Sequence, residues 1–227
     1  MKTAIRLTLL LLILGHYGSG QTTQIRNEDE KTTSVLEYRV ANFELADATL
    51  VEGLSKLSFQ AIAGLHVGIE EIIRDDSSEA TDRSVRFSLA LHDVTVRDII
   101  DTLCKSDRRY TWSTDGSSVN IYPRATVGDP SYLPNRELDS IVLKNIKGPT
   151  DALTPLMKLL PGEQIGYAGI GVNNDYPEPW NVVFNHLSVR QLMNRLSEHN
   201  GPRGGWIWNG SRGQRFFAYF ERDFKEW

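Results

Sequence analysis

Five histidines, one cysteine and a cluster of carboxylates could in principle transfer protons, hold a metal or attack an electrophile, but their spacing favours none of these chemistries. His16, His66, His92, His186 and His199 never fall at the short spacing that brings two imidazoles onto one metal ion. His92 and His186 sit near two similar junctions, one position out of register, and read as loop histidines with no shared catalytic task. Cys104 lies one helical turn beyond Ile100, on an apolar face, so a buried and unreactive thiol is expected. Glu70, Glu71, Asp75, Asp76 and Glu79 have no apolar wall to raise a carboxyl pKa, and read as a solvated loop face. The glycines of the stretch 166–171 suggest a phosphate loop, yet no Lys-Ser or Lys-Thr pair follows, and no helix can start there. The sequence therefore assigns no catalytic, metal or cofactor residue, and the chain is expected not to be an enzyme.

One surface could still recognise a ligand. Arg203, Arg212, Arg215 and Arg222 interleave with Trp206, Trp208, Phe216, Phe217 and Tyr219, and rings so placed can stack on bases or sugars. Trp206, Trp208, Arg215, Phe217 and Tyr219 make up this possible ligand or partner surface. Strand alternation turns half of the rings inward, however, and Trp206 and Trp208 share one face, so packing is the stronger reading. Asn209-Gly-Ser211 matches a glycosylation sequon but reads first as a turn.

The elements that would carry these residues follow from an internal repeat. Residues 85–107 recur as 178–200: Leu89, Leu91 and Val94 answer to Val182, Phe184 and Leu187, and Val96, Ile99, Ile100 and Leu103 to Val189, Leu192, Met193 and Leu196. In both copies alternation gives way to helical spacing, with Thr95 and Asp98, or Ser188 and Gln191, placed as a capping box between strand and helix. Tyr38 to Leu45 alternates and leads into a helix with Leu50, Leu54 and Leu57; Leu138 to Leu143 leads into a helix over 151–160 with an early Pro155. Tyr110 to Trp112 and Val119 to Tyr122 flank Asp115-Gly116, while Trp206 to Trp208 and Phe216 to Phe220 flank Asn209-Gly210, which gives two hairpins. The expected fold is α+β: two tandem small modules, each strand, helix, strand, strand, helix, strand, strand.

The N-terminus reads as a signal peptide over residues 1–20, with Lys2 and Arg6 before the apolar run Leu7 to Leu14 and cleavage between Gly20 and Gln21. A polar lead-in follows over 21–36, then a first domain over 37–123, a Pro/Gly linker over 124–136 and a second module over 137–222. Without the leader, 23 basic residues face 29 acidic ones, a formal charge of −6, which argues against nucleic acid and anionic lipid as partners. A single cysteine excludes an internal disulfide framework, so packed cores must supply the stability. No membrane span is expected after the leader is removed.

The run Val85 to Leu103, followed by Tyr110-Thr-Trp112 and Val119-Asn-Ile-Tyr122, resembles the short N-terminal domain shared by secretins and TonB-dependent receptors, over about residues 38–123. Residues 137–221 resemble it more weakly, as a divergent copy or a secretin-type module. The resemblance implies a small periplasmic or secreted α+β domain of the bacterial envelope, an adaptor or a signalling or assembly component. It would contact an outer-membrane assembly or a transmembrane regulator without catalysis, and would bring no catalytic residues or cofactors. The sequence holds no barrel or pore segment, so the domain is expected to stand alone. A carbohydrate-binding module using the Trp206, Trp208 and Tyr219 rings and a cell-wall hydrolase are the alternative expectations. Oligomeric state is not legible in the sequence.

Overall fold

The computed structural model describes residues 35–59, 65–72, 85–163, 165–170, 178–199, 204–210 and 215–221. The expected leader and its cleavage site at Gly20 and Gln21 lie outside them, as do Asp75, Asp76, Glu79, Arg203, Arg212 and Arg222. In chain order the elements are β1 (Arg39–Ala48), α1 (Leu50–Phe59), β2 (His66–Glu70), β3 (Phe87–Thr95), α2 (Val96–Ser106), β4 (Tyr110–Asp115), β5 (Ser118–Pro123), β6 (Glu137–Ile146), α3 (Leu153–Leu159), β7 (Gly166–Ile170), β8 (Trp180–Ser188), α4 (Val189–His199), β9 (Gly204–Asn209) and β10 (Phe216–Glu221). The fold is α+β with mixed sheets, and among the described residues no helix is long and apolar enough to cross a membrane.

Helix starts are fixed by local chemistry. The α2 cap is reciprocal: the Asp98 amide donates to Thr95 Oγ1 at 3.1 Å and the Thr95 amide donates to Asp98 Oδ2 at 3.1 Å. Ser188 and Gln191 repeat this at α4, at 3.2 and 2.8 Å, and Thr49 and Glu52 at α1, at 3.2 and 2.6 Å. Each pair satisfies two amides that the first helical turn would leave open. The helix at 151–160 starts as a 3-10 turn over Pro149–Ala152 and becomes α-helical at Leu153, so Pro155 falls where its missing N–H costs nothing.

β1 pairs antiparallel with β3, and β6 with β8, as two-stranded ribbons. Both ribbons slip register near the end of the first strand, between Leu45 and Ala48 and between Leu143 and Ile146. There Asp47 and Asn145 take positive φ (46° and 54°), a conformation that Asp and Asn adopt more readily than most side chains. Their amides donate across the ribbon to Ser88 Oγ at 3.0 Å and Asn181 Oδ1 at 2.9 Å. Asp93 and His186 also hold positive φ, at 50° and 52°, so His186 serves the backbone path of β8.

The remaining strands form one six-stranded sheet in the order β4-β5-β2-β9-β10-β7. β5 pairs antiparallel with β4 and parallel with β2, and β10 pairs antiparallel with β9 and parallel with β7. The two triplets meet in a parallel ladder of β2 on β9, with Val67, Gly68, Ile69 and Glu70 opposite Gly205, Trp206, Ile207 and Trp208. One core packs α1 and α2 around Phe43, Leu54, Ile99 and Leu103; the other packs α3 and α4 around Leu143, Leu192, Met193 and Trp206. The stretch over 124–136, expected as a linker, is partly structural: Tyr132 and Leu133 are buried in the second core, and Asn135 Nδ2 donates to the Thr126 and Asp129 carbonyls at 2.6 and 2.9 Å.

Leu103 and Leu196 are 0% and 1% exposed, so truncating either to alanine should cost about 2–5 kcal/mol in urea unfolding. Thr95→Ala should cost about 1 kcal/mol through the lost cap. The hydrogen bonds from Thr95 hold the Asp98 carboxyl below its ordinary value. Its contribution is therefore present above the usual carboxylate range and lost as pH falls through the lowered value. Asp98→Asn should flatten that part of the acid limb of a stability-versus-pH curve.

Candidate functional site

The aromatic hairpin is a core. Trp206, Trp208 and Phe217 are 1%, 2% and 0% exposed, with Phe217 centred 5.9 Å from Trp206 and 4.5 Å from Trp208. The reading of these rings as a ligand or partner surface is corrected: they face inward and cover the second core. The Trp206 indole N–H is satisfied inside, donating to Asn194 Oδ1 at 2.8 Å. Arg215 is apart from the rings, on the exposed side, and shares the Glu163 carboxylate (2.5 Å) with Arg136 (2.7 Å). Tyr219 lies opposite Trp206 in the ladder, but its side chain is outside the described residues.

Beside this core the β2–β9 junction gathers polar residues that spacing did not single out. Glu70, expected on a solvated loop, is the last residue of β2 and fully buried. The cause is that β2 (His66–Glu70) is a central strand of the sheet, and Glu70 at its end meets Arg190 as its counterion. Arg190 engages both carboxylate oxygens, Nε on Oε1 and Nη2 on Oε2 at 3.0 Å, and its guanidinium lies 4.4 Å from the centre of the Tyr122 ring. Burial pushes the Glu70 carboxyl upward against the pull of Arg190. Burial also lowers Arg190, but the hydrogen bond and charge of Glu70 more than offset this and hold it above its ordinary value. The two directions oppose one another over the ionised pair; the fork geometry and an arginine that keeps its proton support the charged state. The next residue continues the seam, with the Glu71 amide donating to the Trp208 carbonyl at 2.9 Å and Asn209 Nδ2 donating to Glu71 Oε2 at 2.8 Å.

The β4–β5 turn closes the same seam from above. Asn194 Nδ2 on α4 donates to Asp115 Oδ2 at 2.9 Å, and Glu198 Oε1 accepts from the Ser117 amide (3.2 Å), Ser117 Oγ (2.8 Å) and Ser118 Oγ (3.0 Å). Arg195 bridges Glu198 at 2.9 Å and Asp115 at 3.5 Å. Gly68 is required where it stands, because a Cβ there would meet the Trp206 ring at 2.6 Å. The repeat register could have located part of this: Asp101 and Asn194 occupy matching helix positions, and Asp101 Oδ1 accepts the Trp112 indole N–H at 2.8 Å as Asn194 Oδ1 accepts that of Trp206.

The other sequence candidates remain dispersed. Cys104 is buried and desolvation pushes its thiol up to about 12. His92 Nδ1 lies 2.8 Å from Asn42 Oδ1, His199 stacks on Trp180 at 4.0 Å with its pKa lowered by burial, and His66 is enclosed in β2. Among the described residues no three His, Cys, Asp or Glu side chains gather as a metal site. The sheet instead ends in two strands that carry a ladder on one side only among the described residues, β4 and β7. Neither strand contains Lys, Arg or Pro, the residues that ordinarily blunt an edge. Comparison with family models, curated proteins and solved structures finds no match to the chain.

Arg190→Ala should cost about 3–5 kcal/mol in urea unfolding, because Glu70 is then buried without its counterion. Adding Glu70→Leu to Arg190→Met should recover most of that loss. Cys104 should react with iodoacetamide only at the rate of global opening, so labelling should accelerate with urea in step with unfolding.

Proposed function

We propose that the chain is an exported, non-catalytic interaction module of the bacterial cell envelope, formed by two tandem copies of a unit resembling the secretin/TonB short N-terminal domain. It engages another envelope protein by strand addition at the outer edges of its sheet. The observation that carries this reading is a sheet whose end strands, β4 and β7, carry a ladder on one side only among the described residues; a partner strand can satisfy the backbone groups on the other side with little demand on its sequence. The tandem reading is supported by the matching pairings of β1–β3 with β6–β8 and of β4-β5-β2 with β9-β10-β7, and by matching capping boxes at α2 and α4. Burial of Trp206 and Trp208 weighs against a glycan surface built on those rings.

Crosslinking of the tagged protein in the envelope, followed by mass spectrometry, should recover a discrete envelope protein with crosslinks next to β4 or β7. Repeated recovery of the uncrosslinked chain alone would refute the reading. Gly169→Pro, which withdraws an outward-facing backbone donor from β7, should reduce that capture while leaving the far-UV spectrum in place.

A further inference from the structure

The β2–β9 ladder shows what a strand edge of this chain accepts, and β4 presents a closely similar edge. By ladder position β4 corresponds to β9, because Asp115 opposite Ser118 matches Asn209 opposite Phe216; Trp112 then holds the place of Trp206 and Thr114 that of Trp208. The helices above agree. Trp112 donates its indole N–H to Asp101 at 2.8 Å as Trp206 donates to Asn194 at 2.8 Å, and Arg97 follows the α2 cap residue Thr95 by two positions as Arg190 follows Ser188 at α4. At β9 a strand answers both side chains: Gly68 leaves room for the Trp206 ring, which a Cβ would meet at 2.6 Å, and Glu70 gives both carboxylate oxygens to Arg190. At β4 no such strand stands among the described residues. Trp112 is half-buried where Trp206 is 1% exposed. Arg97 keeps 40% of its side chain exposed, against 15% for Arg190, and lies 5.8 Å above the Trp112 ring and 3.0 Å from a Glu37 that is itself 55% exposed.

We infer that β4 takes, in parallel, an extended segment of another protein in which a glycine lies opposite Trp112 and an acidic residue, two positions on, lies opposite Thr114 with its carboxylate on Arg97. The inference deepens the edge-docking reading, on which it rests, by adding two side-chain demands to the backbone pairing. An arginine fork favours a carboxylate brought in beside it, and an exposed contact such as that to Glu37 holds it only weakly, so the incoming acid can displace Glu37. This chain does not supply such a segment for a second copy. Gly68 is the only glycine in the sequence with an acid two positions after it, and the strand that bears it is enclosed in the sheet. The other end strand does not fit: matching His66 opposite Ser118 to Gly166 opposite Phe216 places Ala168 and Ile170 where β2 has Gly68 and Glu70. The occupant is therefore a different chain that carries the glycine and the acid at this spacing.

The probe is a fluorescein-labelled peptide with the sequence of residues 63–70, capped at both ends, titrated with the purified chain and read by anisotropy. It should bind saturably, and Arg97→Glu should weaken it roughly tenfold. Arg86→Glu, an equal change of charge before the opposite end of β3, should leave binding as it is. A peptide with Glu70→Lys should fail on the unsubstituted chain and bind the Arg97→Glu variant. A peptide with Gly68→Val should bind neither. Far-UV spectra of the variants establish that they fold. Absence of saturable binding, binding indifferent to the Gly68 substitution, or a loss on Arg97→Glu that the lysine peptide does not recover would each overturn the inference. Should the peptide fail while an envelope protein is still crosslinked beside β4 or β7, the glycine-and-acid segment falls and edge docking stands; should both fail, the docking reading falls with it.

Discussion

Everything in this architecture hangs on the parallel ladder between β2 and β9. Without it the chain would be two three-stranded sheets, each with an apolar edge open to water; with it, β2 becomes a central strand whose residues are all buried. The ladder tolerates a buried glutamate because Arg190 arrives from α4 with matching fork geometry, and it tolerates Trp206 because Gly68 leaves room for the ring. The hydrogen bond that Asn194 donates to the β4–β5 turn and those that Glu198 accepts from it then fix the angle between the halves. Polar and apolar terms are inseparable here: the rings that seal the joint desolvate Glu70, and the two-pronged contact from Arg190 offsets that cost.

Much of the local structure was legible in the sequence, because local rules decide it. The alternating runs became β1, β3, β6 and β8, and the hydroxyl-to-acid spacings became capping boxes at Thr95, Ser188 and Thr49. Buried Leu103, Leu196 and Cys104 follow from helical spacing alone. Glu70 escaped because an acid at the end of a short apolar run looks the same whether it starts a loop or ends a strand. Its burial is decided by Arg190, 120 residues away, and no pattern within one element reports such a partner. The segment over 124–136 escaped for a similar reason: Tyr132 and Leu133 have no period of their own and are buried by surfaces supplied from elsewhere.

The aromatic hairpin shows how composition can mislead about location. Arginines beside aromatic residues suggest a recognition surface, yet Trp206, Trp208 and Phe217 fill the core, while Arg215 lies just before β10 and pairs with Glu163 outside. What the interior gains from these rings is cohesion, with indole and amide locked together at Trp206 and Asn194. The proposed recognition by other macromolecules would use backbone, at the two ends of the sheet. Recognition of that kind is spread over donors and acceptors that every sequence possesses, and so leaves little trace in residue types.

The joint also sets an order of events. Val67 must find Gly205 across more than half of the chain, so the central ladder closes only after nearly all of the sequence is present. Contacts so distant in sequence slow folding, and until they form β2 is an exposed apolar edge of its own. An emerging chain of this design needs its last strands to protect its first ones, which makes truncation near the C-terminus a route to aggregation and not merely to a shorter protein.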